Sequence, residues 1–134
     1  MRRPRRDPAV AGRLMRALGL AQAGDAEAAL AALEEATPSE SMDFDEEGLR
    51  FVLLQRLGRE DDVITLIARV LAQPMLPLSK STWHLRRGLL HLSAQRAQLA
   101  LQDLQEVLKL AACPDHEEQA RLALLRAAEL LSTH

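Results

Sequence analysis

The chain has 134 residues, a formal net charge of −2, 48% apolar residues and 2% aromatic residues: Phe44, Phe51, Trp83 and no Tyr. Leu and Ala supply 49 residues, against five Val and two Ile. Sheets favour β-branched and aromatic side chains, and Leu and Ala are among the best helix formers, so this composition excludes a sheet-based fold. The charge is blocked. Residues 1–24 carry six Arg and one Asp, residues 25–62 carry twelve acids and three Arg, and residues 80–109 carry five bases and two acids. Such blocks read as solvated helix faces or as a dipolar surface that steers a partner or a second copy. The single cysteine, Cys113, rules out an intrachain disulfide and fits a reducing, cytoplasmic compartment. No apolar run approaches the roughly 18 residues of a membrane span. Arg13 and Arg16 interrupt the segment after the basic start, so no signal peptide is expected. The preponderance of Arg over Lys, with abundant Ala, suggests GC-rich, bacterial coding.

Punctuation then divides the chain. Pro4 and Pro8 hold the first residues out of a helix interior, leaving residues 1–8 as a basic tail. From Ala9 to Ala23, Val10, Leu14, Leu18 and Ala21 recur at helical spacing until Gly24. Asp25 is placed to cap a second helix over Ala26–Ala36, ended by Thr37-Pro38-Ser39. The acids from Glu40 to Glu47 fit the start of a third helix, running to about Leu57 and closed by Gly58. A fourth spans about Glu60 to Ala72. Pro74 and Pro77 break the chain, and Ser79 or Ser81 could cap a fifth helix that includes Trp83 and Leu92. A joint at Ala94-Gln95-Arg96 leads to a sixth, about Ala97–Ala112, stopped by Pro114. Asp115 and Glu118 form a capping-box-like pair for a seventh, to about Leu131.

The joints at Gly24, Gly58 and Gln95 lie 34 and 37 residues apart. In register with them, Ala17, Leu20, Ala29, Leu33 and Ala36 of the first unit correspond to Phe51, Leu54, Val63, Ile67 and Val70, and to Gly88, His91, Ala100, Leu104 and Val107. The chain therefore resembles tetratricopeptide-repeat proteins, most closely over Ala21–Leu30 and over Arg87–Leu92 with Ala100–Leu104. It departs from that pattern at Phe51, Val63, His91 and Gln95. The resemblance implies an all-α fold: a right-handed solenoid of three antiparallel helix pairs over about 9–38, 43–76 and 79–112. A capping helix at 115–132 closes a single domain over 9–134. In the cap, Leu122, Leu125 and Leu130 are expected to form the apolar side.

The resemblance also implies a concave groove, lined by the first helix of each pair, that binds peptides. Its positions here are Leu14 and Leu18, then Val52, Gln55 and Arg56, then Leu85, Leu89 and Leu92. The expected partner is an amphipathic or apolar segment of another protein, or another copy of the chain in a self-associating scaffold. Catalytic constellations are missing. Cys113-Pro114-Asp115-His116 is half a zinc site without a second pair at ligand spacing, and His84 and His91 lie two turns apart. The clusters at 43–47 and 60–62 read as helix-start charges. No enzyme, metal or cofactor is expected. Arg2, Arg3, Arg5 and Arg6 read as a solvated tail in preference to a nucleic-acid or lipid contact.

Overall fold

The computed structural model describes residues 7–35 and 42–133. They form seven helices and no strand: α1 (Pro8–Gln22), α2 (Ala26–Leu33), α3 (Phe44–Arg56), α4 (Glu60–Leu71), α5 (Pro77–Ser93), α6 (Ala97–Leu110) and α7 (Pro114–Ser132). The all-α class and the helix count agree with the expectation from the sequence. The Arg2–Arg6 cluster, the Thr37-Pro38-Ser39 break and the start of the acidic stretch lie outside the described residues. The expected span of 9–134 divides into two compact units, Met1–Leu66 and Ile67–His134, with the division inside α4.

Three helix starts use carboxylates. Asp7 accepts from the Ala9 amide at 2.8 Å, Asp25 from Ala28 at 3.0 Å, and Asp43 from Asp45 and Glu46 at 3.0 and 3.1 Å. Two other expected caps do not form. Helix α5 opens two residues before Ser79, with Pro77 in its first turn and Leu76 at the cap, and α7 opens at Pro114 with Cys113 at the cap rather than through an Asp115/Glu118 box. Proline explains both: its fixed φ suits the first helical position, where its missing N–H costs nothing. Pro114 thus begins α7. Helix α6 has already ended at Leu110, where Ala111 turns left-handed at φ +47°.

The three joints share one geometry. Gly24, Gly58 and Gln95 have φ of +85°, +69° and +63°. At each, that residue's amide donates three residues back and the next amide donates five back: Gly24 to Ala21 and Asp25 to Leu20; Gly58 to Gln55 and Arg59 to Leu54; Gln95 to Leu92 and Arg96 to His91. This is a Schellman termination, repeated at the spacing read from the sequence.

In the first unit α1 packs on α2, and α3 on both. Val10, Leu14, Ala17, Ala29, Leu30, Leu33, Leu53 and Leu54 are buried there. In the second unit α6 lies against α5 and α7, which also touch each other. Its core joins Leu85, Ala100, Leu104 and Val107 to Ala120 and Ala123. Gly88 lets α5 approach α6: a Cβ there would lie 2.9 Å from Leu104 Cδ2 and 3.3 Å from Asp103 Cβ. The cap helix differs from expectation. Its packed side is Ala120, Ala123 and Ala127 with Leu124 beside them, while Leu122 and Leu125 are exposed and Leu130 is half-buried. Alanines at the same spacing permit a closer approach than leucines, so they take the inner face.

Two outcomes test this packing. Ala29→Leu and Ala100→Leu, each at a fully buried position, are expected to lower stability by about 1–3 kcal/mol through overpacking, read by chemical denaturation. Gln95→Gly is expected to raise stability by about 1 kcal/mol, because it removes the Cβ penalty of a left-handed residue, whereas Gln95→Val lowers the melting temperature.

Candidate functional site

The helical turn sorts the eight expected groove residues. Leu85 and Leu92 lie about 20° apart around α5, while Leu89 is rotated about 40° from Leu85 to the other side. Leu85 accordingly faces inward, 6% exposed, and Leu92 packs against the same cluster, while Leu89 is 38% exposed. In the first unit Leu14 is buried; Leu18 and Val52, each 38% exposed, and Gln55 and Arg56 face solvent. Leu14 and Leu85 are therefore packing residues rather than an open groove floor, and Leu92 is half-buried between the core cluster and the surface. A Leu85/Leu89 double change would strike the core.

At Leu92, a surface hollow of about 340 Å³ opens between the end of α5 and α7. Leu92, Ser93 and Gln95 line one side, and Arg126, Glu129 and Leu130 the other. A second hollow of about 290 Å³ shares Gln95 and Leu130 and reaches Leu99 and Leu131. The first hollow is walled about equally by polar and apolar surface and the second mainly by apolar surface, which together suit an amphipathic peptide carrying an apolar side chain.

Polar pairs hold these elements in place. Across α5 and α6, Asp103 is 4% exposed and takes hydrogen bonds from Arg87 Nε and a second guanidinium nitrogen, both at 2.8 Å, and pairs with His84 Nδ1 at 2.9 Å. Burial works to raise the Asp103 carboxyl, but the His84 and Arg87 hydrogen bonds and charges outweigh it and hold it below its ordinary value. Between α5 and α7, the fully buried Ser81 Oγ hydrogen bonds with His116 Nδ1 at 2.8 Å. His91 fills a buried position, and its Nδ1 accepts from Arg96 Nε at 2.9 Å. The Arg86 guanidinium stacks 4.7 Å over the buried Trp83 ring, and burial lowers its pKa.

In the first unit, two acids of the 43–47 cluster are structural pairs rather than solvated helix-start charges. Glu46 receives Arg13 Nε at 3.1 Å and a second Arg13 nitrogen at 2.7 Å, with both side chains 5% exposed. Glu47 accepts from Arg50 at 2.6 Å, and Arg50 also donates to the Leu33 carbonyl at the end of α2. The signal available in the sequence was Arg13 itself, set inside the Val10–Leu14–Ala17 stripe.

Among the described residues, no three His, Cys, Asp or Glu side chains gather as a metal site, and no helix is long and apolar enough to cross a membrane. Comparison with protein-family models, curated proteins and solved structures finds no match to the chain.

The Asp103 cluster has a pH signature. Its depressed carboxyl contributes stability that is fully present above the ordinary Asp value of about 4 and is lost as pH falls through the lower folded value. Denaturation midpoints are expected to drop between neutral pH and about pH 3, with a smaller drop in Asp103→Asn. That variant is itself expected to cost about 1–3 kcal/mol at neutral pH.

Proposed function

We propose that the chain is a non-catalytic protein-interaction module of tetratricopeptide type, holding an apolar or amphipathic segment of another protein in the manner of an adaptor or chaperone. The repeat reading is supported by the same left-handed turn at Gly24, Gly58 and Gln95. The observation that carries the function is the hollow between α5 and α7, continued past Gln95 and Leu130 by the apolar hollow at the exposed Leu99. In the repeat register α5 and α7 are successive first helices, and the surface between such helices is the one that binds peptides in that family. The lone cysteine supports action in the cytoplasm.

Peptides selected from a random display library against the full chain are expected to carry Leu, Ile or Phe at spacings of three and four. Their binding is expected to shift the amide resonances of Leu92, Ser93 and Leu130. Burying a leucine against a partner is worth roughly 1.5–3 kcal/mol, so Leu99→Ser with Ser93→Arg should weaken binding about tenfold or more with unchanged helicity. Failure to select peptides, or shifts confined to other surfaces, would count against the reading.

A further inference from the structure

The first hollow carries two opposite charges that do not meet. Arg126 and Glu129 stand three residues apart on α7, both exposed, and both line its wall. Neither side chain is paired with another among the described residues. At the start of α4 the same order and spacing closes on itself: Arg59 Nε meets Asp62 at 2.8 Å. The reverse order closes as well, with Glu47 and Arg50 at 2.6 Å on α3. Arg126 and Glu129 thus leave a guanidinium and a carboxylate open to a ligand, about 4.5 Å apart along the helix axis. Past Glu129, Leu130 and Leu131 lead into the second, apolar hollow at Leu99.

We infer that the segment held here is a helix with its own acid and base, which meet this pair in one direction; the inference rests on the peptide-binding reading above. The wall sets the order: an acid opposite Arg126, a base opposite Glu129, then an apolar side chain in the hollow at Leu99. A helix rises about 1.5 Å per residue, so an acid and a base three or four residues apart match the spacing on α7. Two effects fix the chain direction. Within a helix, an acid four residues before a base is the better order. The helix dipole also favours acids near the start and bases near the end. Both put the acid first, so the segment runs parallel to α7 and reads acid, base, leucine from its N-terminal end. An uncharged apolar segment would cover Arg126 and Glu129 without replacing the water it displaces from them. Exposed ion pairs are worth little each, so apolar burial supplies most of the affinity and the charges select among apolar helices.

The test titrates the full chain with three blocked synthetic helices, followed by fluorescence anisotropy. All three have the same length and the same leucines at spacings of three and four. One carries Glu, with Lys four residues later and ahead of its last leucine. The second exchanges the Glu and the Lys, and the third has Gln at both places. The first is expected to bind about two- to tenfold more tightly than the Gln peptide, and the exchanged peptide more weakly than either. Arg126→Glu with Glu129→Arg should invert the ranking of the two charged peptides, with helicity unchanged because both positions are exposed. The first peptide's advantage should fade as salt rises toward about 1 M. Equal binding by all three peptides overturns this inference and leaves the peptide-binding reading standing. A ranking that survives the charge exchange on α7 overturns it too. Binding by none of the three overturns both.

Discussion

Close approach of helices over small residues is the constraint on which the structure rests. With only three aromatic side chains, the chain fills its core with leucine, valine and isoleucine and gains further dispersion contacts by bringing backbones together over alanine and glycine. Ala17, Ala29, Ala100, Ala120 and Ala127 are fully buried, and Gly88 leaves no room for a Cβ against Leu104. These positions set which face of each helix turns inward. They also explain why α7 carries leucines outside: its alanines allow the nearer approach to α6, and a helix has only one face to bury.

Interfaces built from alanine have a weakness. Sliding one helix along another by a turn, about 5.4 Å, exchanges small side chains for small side chains and changes the buried area little. Buried polar pairs remove that freedom. A slip of α1 against α3 would strand Arg13 or Glu46 without its partner, at a cost far above that of the lost apolar contact. Ser81 with His116 ties α5 to α7, and Asp103 with His84 and Arg87 ties α5 to α6, each fixing one register. The pairs need not add net stability to do this; they need only make the alternatives worse.

The same constraint marks what the sequence made legible. Helix locations came from proline, glycine and aspartate, whose local effects act whatever the tertiary context. The turn at Gln95 was legible only through its spacing from Gly24 and Gly58, since glutamine gives no sign of a left-handed backbone. The caps of α5 and α7 were misjudged because Ser79 and Asp115 are good caps in isolation, while Pro77 and Pro114 claimed the first turns. The groove was half legible. Spacings of three and four identify a stripe but not its edge, and the edge runs between Leu85 and Leu89. In α7, Leu122–Leu125 and Ala120–Ala123–Ala127 are equally periodic. Hydrophobicity favours burying the leucines, and only the packing distance decides for the alanines.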